Sequence, residues 1–218
     1  MSNGRWQTLD DIAGRPQELP DRPRWAVIVS GVLHPFTLPP IAFLLLYIAG
    51  MGTDTPAPDL TVAGLSVAIL FASALPLAAV VYLARRGVVD SIDVSDRTKR
   101  AVPLALAILS YAAGFAILSR LGAPVLARGL MLCYATNTLV VAVITLWWKI
   151  SIHAVGTAGP IVAVTAAFGP WALPAFLLLP VISAARVSLQ RHTVGQVVAG
   201  SLLGAVLTAG QLALFIGV

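Results

Sequence analysis

The stretch AVGTAGPIVAVTAAF (154–168), then Gly169-Pro170, then WALPAFLLLPVISAA (171–185), decides the fold, because it is either one kinked helix or two helices joined by a tight turn. It carries no charge. Proline can break or bend a helix, so the local sequence allows both forms. The surrounding chain separates them. Working outward, further apolar runs span Trp25 to Ile48, Leu60 to Leu83, Pro103 to Leu121, Val125 to Trp148 and Thr193 to Val218. Several reach the roughly 20 residues that a helix needs to cross a hydrocarbon core of about 30 Å. With a turn at Gly169-Pro170 the chain has seven crossings, and without it six.

Charge favours seven. Under that topology the N-terminus and every second loop share one face, which receives Arg5, Arg15, Arg22, Arg24, Arg85, Arg86, Arg97, Lys99, Arg100, Lys149, Arg186 and Arg191. The other face receives only Arg120 and Arg128, with Asp54 and Asp59 in the loop Gly50 to Asp59. The positive-inside rule makes the basic face cytoplasmic, and a single kinked helix would carry Arg186 and Arg191 to the wrong side. The expected fold is therefore an all-α, polytopic integral membrane bundle of about seven transmembrane segments. A cytoplasmic segment, 1–24, precedes one transmembrane domain, 25–218.

Composition agrees with this reading. The 218 residues are 58% hydrophobic and 11% charged, against about 45–50% and about 25% in soluble domains. The runs are rich in Ala, Leu and Val without the alternating polarity of barrel strands, so helices are expected. A net charge of +5 reflects orientation here rather than nucleic-acid binding. Asp10, Asp11, Glu18 and Asp21 interrupt the arginines of the N-terminal stretch, which lacks an apolar core and so predicts a retained first helix rather than a cleaved signal peptide. The one cysteine, Cys133, excludes an intrachain disulfide.

Three polar stretches return to the basic face at helix ends: Asp96 to Pro103, Lys149 to His153, and Arg186 followed by His192 and Gln196. A phosphate group is the partner that suits them. Guanidinium groups bind its oxygens bidentately, and helix N-termini at Ser151 and Thr193 add free N–H groups and a favourable dipole. Two histidines can then divide the work, one attacking phosphorus as a neutral imidazole and the other protonating the leaving oxygen.

These stretches resemble the three signature motifs of the phosphatidic acid phosphatase type 2 superfamily, which includes lipid phosphate phosphatases and vanadium haloperoxidases. Arg97 and Arg100 resemble the first motif, Ser151 and His153 the second, and Arg186 and His192 the third. Lys149 to His153 and Arg191 to Gln196 are similar to patterns of a bacterial branch. The resemblance implies that His192 is the nucleophile, forming a phosphohistidine, and that His153 is the general acid. Arg97, Lys99, Arg100, Lys149, Ser151 and Arg186 would hold the phosphate. It also implies metal-independent hydrolysis of a lipid phosphate in a cell membrane, with no cofactor and no metal. Gln196 stands where the family has an aspartate that orients the nucleophile. Its carbonyl can accept a hydrogen bond from the His192 ring, but it supplies no charge.

The expected function is hydrolysis of a phosphomonoester or diphosphate of a phospholipid or polyprenyl lipid. The alternative is a non-hydrolytic protein of the same fold that binds, transfers or transports lipid phosphate. The simpler roles are anchoring for Arg97, Lys99 and Arg100, snorkelling for Lys149 and helix capping for Ser151. His34 is read as satisfied by a neighbouring helix, Thr136 and Asn137 as interhelical hydrogen-bonding groups. Asp90, Asp93 and Asp96 are read as loop charges or arginine partners, one of which could replace the missing aspartate.

Overall fold

The computed structural model describes residues 22–50 and 58–217. Most of the N-terminal segment and of the loop Gly50 to Asp59 lies outside the described residues. The protein is an all-α bundle, and among the described residues five stretches are long and apolar enough to cross a membrane: Thr61–Arg85, Ala101–Arg120, Val125–Thr145, Ile152–Ser188 and Val194–Ile216.

In chain order the helices are α1 (Arg24–Val32), α2 (Leu38–Gly50), α3 (Pro58–Ile69), α4 (Leu75–Arg85), α5 (Ala101–Arg120), α6 (Val125–Thr145), α7 (Ile152–Phe168), α8 (Leu178–Ser188) and α9 (Val194–Ile216). A π-helical turn, Leu70–Ala74, joins α3 to α4 as one rod, and a 3-10 segment, Gly169–Leu177, joins α7 to α8.

The expected single segment from Trp25 to Ile48 is instead broken between α1 and α2. Pro35 is the physical reason: it has no N–H to donate, and its ring disfavours helical geometry in the residue before it, His34. The break is tied down rather than loose. Thr37 Oγ1 donates to the carbonyl of Val32 and accepts from the His34 N–H at 3.1 Å. Ser73, within the π-helical turn, donates to the carbonyl of Phe36. This arrangement stops α1 at Val32 and leaves the His34 side chain in the break between α1 and α2.

The turn at Gly169-Pro170 is present. Gly169 closes α7 with φ 63° and ψ −145°, a conformation suited to glycine. Arg186 and His153 both reach the same carboxylate, of Asp93, at 2.9 Å and 3.9 Å. A straight helix over their 33-residue separation would hold them about 50 Å apart at 1.5 Å per residue. The stretch 152–188 is therefore an out-and-back hairpin, and α8 ends where α7 begins.

The α7–α9 pair approaches most closely. A Cβ on Gly200 would sit 2.8 Å from the Ser151 carbonyl oxygen, and one on Gly204 would sit 2.7 Å from the Val155 carbonyl oxygen. Small residues at four-residue spacing allow membrane helices to touch along their backbones. The interior of the bundle is further stitched by Asn137, whose amide donates to Thr208 at 2.9 Å and accepts from Gln211 at 2.9 Å. Thr136 also meets Gln211, so the interhelical roles expected of Thr136 and Asn137 are observed.

Gly204→Ala should lower the thermal unfolding midpoint in detergent, an overpacking cost of about 1–3 kcal/mol. Gly210→Ala, on the same helix with nothing within 4 Å, should not. Equal midpoints for the two variants would contradict the close α7–α9 packing.

Candidate active site

The start of α7 and the start of α9 are joined by the Ser151 N–H, which donates to the Gln196 carbonyl at 3.3 Å. Ser151 also caps α7, its hydroxyl accepting from the Ala154 N–H at 3.4 Å, and it is fully buried. His153 lies in the first turn of α7. His192 stands just before α9, which opens with a capping box: Thr193 Oγ1 accepts from the Gln196 N–H, and Gln196 Oε1 accepts from the Thr193 N–H. At the end of α8, Gln190 adopts φ 53° and redirects the chain toward His192. The three sequence stretches thus meet at one end of the bundle.

The capping box fixes more than the helix start. A backbone N–H can only donate, so the Gln196 atom facing Thr193 is its carbonyl oxygen. The same oxygen lies 3.0 Å from His192 Nδ1. The ring must therefore carry its hydrogen on Nδ1, which leaves the Nε2 lone pair free. Burial lowers the His192 pKa to about 4; the Gln196 hydrogen bond acts in the opposite direction, while Arg100, Arg186 and Lys149 lower it further. His192 is a buried neutral imidazole beside three cations.

Arg186 is 3% exposed and gives Nη1 to Asp93 Oδ2 at 2.9 Å. Its Nε, like His153 Nε2, is buried without a hydrogen-bond partner. Arg100 is buried as well, but as a brace between two loops: Nε donates to the Val94 carbonyl at 2.9 Å and Nη1 to the Ile150 carbonyl at 3.1 Å. Burial and the neighbouring Arg186 push its pKa down to about 10, so it stays charged at neutral pH. Lys149 is half-buried, and burial first, then Arg100, Arg191 and Arg186, lower its pKa.

Arg97 and Lys99 are not gathered with these groups. Arg97 is exposed and donates to the Leu146 carbonyl at 2.8 Å, and Lys99 is exposed on the same 3-10 turn, Arg97–Lys99. Asp96 caps that turn by accepting from the Thr98 N–H at 2.9 Å. Their placement suits the anchoring role.

Two residues outside the three motifs enter the site. Asp93 accepts from Arg186 and lies 3.3 Å from His34 Nε2 and 3.9 Å from His153 Nε2. Burial alone would raise its pKa, but the His34 hydrogen bond and the positive field of Arg186 outweigh it and hold the carboxyl well below the usual range. The partner of His34 is therefore a loop carboxylate rather than a neighbouring helix; its ring also packs edge-on against His153, with centroids 4.8 Å apart. The next residue, Val94, has φ 41°, which is rare for a β-branched side chain. It is held there by its buried side chain and by Arg100 on its carbonyl, and Arg191 adds a 2.9 Å bond to Ser95. Strain of this kind persists where the surroundings over-determine the backbone.

The ligand atoms of His34, Asp93 and His153 lie within 4.8 Å of one another, a spacing at which a cation could be gathered. The tautomer of His34 argues against it. The Phe36 N–H donates to His34 Nδ1 at 3.3 Å, so Nε2 carries the hydrogen and faces Asp93 as a donor. A small cavity of about 80 Å³ opens below these three side chains, with Leu104, Ala107 and Tyr111 among its apolar walls.

Comparison with protein-family models, with curated proteins and with solved structures finds no match to the chain.

Titration of His192 followed by NMR should give a pKa near 4, and Gln196→Glu, which adds a negative charge against Nδ1, should raise it toward the ordinary 6.5. The depressed value also has a sign for stability. Between pH 6.5 and about 4 the unfolded chain binds a proton at His192 that the folded chain does not, so this residue's contribution is present above 6.5 and is lost as pH falls through that window. A wild-type His192 pKa of 6.5 or more would contradict the buried neutral imidazole.

Proposed function

We propose that the protein hydrolyses a lipid phosphate, a phosphomonoester or diphosphate of a phospholipid or polyprenyl lipid, at the end of the bundle where the basic residues collect. The observation that carries this reading is His192: a buried neutral imidazole, its tautomer fixed by Gln196, set beside Arg100, Arg186 and Lys149. A nucleophile needs a free lone pair, and the transferring phosphoryl group needs positive charge around it. Both are supplied within one buried cluster. The excess of arginine and lysine on that face favours a cytoplasmic orientation in a cell membrane, with the substrate taken from the adjoining leaflet.

In the first step, His192 Nε2 attacks phosphorus as the bond to the lipid oxygen breaks, and His153 gives that oxygen its proton. In the second, water attacks the phosphohistidine, His153 takes the proton of the water, and phosphate leaves. Arg186 contributes its partnerless Nε–H to a phosphate oxygen. The transition state is stabilised by charges already in place, so little reorganisation is needed as charge shifts during transfer.

A second reading, lipid-phosphate binding or transfer without hydrolysis, draws on two observations. Gln196 brings no charge to His192, and Asp93 already occupies one nitrogen of Arg186.

The two readings part on histidine labelling. With a radiolabelled lipid phosphate in detergent, wild-type protein should release phosphate and trap acid-labile label on His192, whereas His192→Ala should lose at least about 10³-fold in turnover. Tight binding of lipid phosphate without label or release would favour the non-hydrolytic reading.

A further inference from the structure

His153 is 4% exposed, and its Nε2 has no hydrogen-bond partner. A general acid in that position must carry a proton where burial strips its solvation, with Arg186, His34 and His192 as the positive or protonatable groups around it. Arg100 lines the same cavity. Desolvation and a like charge both disfavour an imidazolium, while a nearby opposite charge restores it. The carboxylate that faces it is Asp93, 3.9 Å from Nε2.

Asp93 is held on both oxygens. Arg186 donates to Oδ2 and His34 Nε2–H faces Oδ1, so the carboxylate cannot turn away from His153 without breaking both contacts. His34 is itself oriented by the Phe36 N–H on Nδ1, and the Pro35 break is what places it there. Val94 at φ 41° holds the other end of the arrangement. A solvated loop charge would need none of this.

We propose that Asp93 and His34 are positioning residues for the general acid, Asp93 serving as the fixed counter-ion to the proton-bearing form of His153 and His34 as the clamp that aims Asp93. The proposal rests on the reading of His153 as the group that protonates the leaving lipid oxygen. It relocates the missing charge: the site has no carboxylate on the nucleophile, where Gln196 stands, and has one on the acid. Step one uses the protonated form of His153, which transfers its Nε2 proton to the leaving oxygen as the phosphorus–oxygen bond breaks. His153 is left neutral and regains a proton from the attacking water in step two. Asp93 and His34 exchange no proton in either step.

A leaving-group comparison tests this, because a general acid matters for a poor leaving group and little for a good one. Turnover would be measured on an alkyl lipid phosphate and on p-nitrophenyl phosphate for the wild type, Asp93→Asn, His34→Ala and His34→Gln. General acid catalysis is worth about 10²–10⁴-fold, so Asp93→Asn should lose at least about tenfold more turnover on the alkyl substrate than on the aryl one. His34→Ala should lose in the same pattern, and His34→Gln, whose amide N–H can still donate to Oδ1, should recover most of it.

A thermal unfolding midpoint in detergent checks that each variant is folded. Equal losses on both substrates, or no recovery in His34→Gln, overturn the proposal. So does faster turnover in Asp93→Asn, which would mean that the carboxylate competes with phosphate for Arg186. Wild-type inactivity on both substrates overturns the hydrolase reading and this proposal together, whereas an active wild type with unaffected variants overturns this proposal alone.

Discussion

The contact on which this end of the bundle depends is the 2.9 Å ion pair between Arg186 and Asp93. Arg186 ends α8, and Asp93 belongs to the long loop between α4 and α5. Through the other oxygen of Asp93 the pair reaches His34, at the break in the first hydrophobic segment. Three parts of the chain that are far apart in sequence are thereby fixed around His153. Arg186 is buried and Asp93 partly so, and removing the carboxylate would leave a buried guanidinium uncompensated, which costs more than losing a surface pair. The hairpin from α7 to α8, the loop conformation at Val94 and the placement of His34 all support this contact.

A bundle end that gathers Arg100, Arg186 and Lys149 around two histidines would repel itself if left unbalanced. Asp93 offsets part of that charge in the protein as it stands, and the orphaned Nε of Arg186 and Nε2 of His153 leave hydrogen-bonding capacity for an anion. The division between the histidines follows from their neighbours. His192 has an uncharged partner that fixes its tautomer, which suits a nucleophile. His153 has a carboxylate nearby, which suits an acid. In the proposed reaction, environment more than residue type assigns the roles.

Much of this was legible in sequence because the signals were local. Long apolar runs gave the membrane helices, and the charge balance across faces selected the turn at Gly169-Pro170 over a kink. Ser151 and Thr193 stood where helix caps belong, and Gln196 was one turn from His192. The contacts that were missed are those that only tertiary folding creates. His34 and Asp93 belong to no shared spacing, and a proline after a histidine signals a break without saying what the histidine will face. Arg97, Lys99 and Arg100 form one basic run in sequence, yet only Arg100 turns inward, because it is needed by the carbonyls of Val94 and Ile150. The close approach of α7 and α9 was written in Gly200 and Gly204, whose meaning depended on knowing which helix lay opposite.

The central claim is that His192, His153 and Arg186 surround one phosphate site. A structure of the protein with vanadate bound tests it most directly, since vanadate takes up the trigonal-bipyramidal geometry of phosphoryl transfer. Vanadium within bonding distance of His192 Nε2, with its oxygens on Arg186 and His153 and with Asp93 still clamped by His34, is the predicted result. Vanadate bound elsewhere, or excluded from this cluster at saturating concentration, would contradict the account.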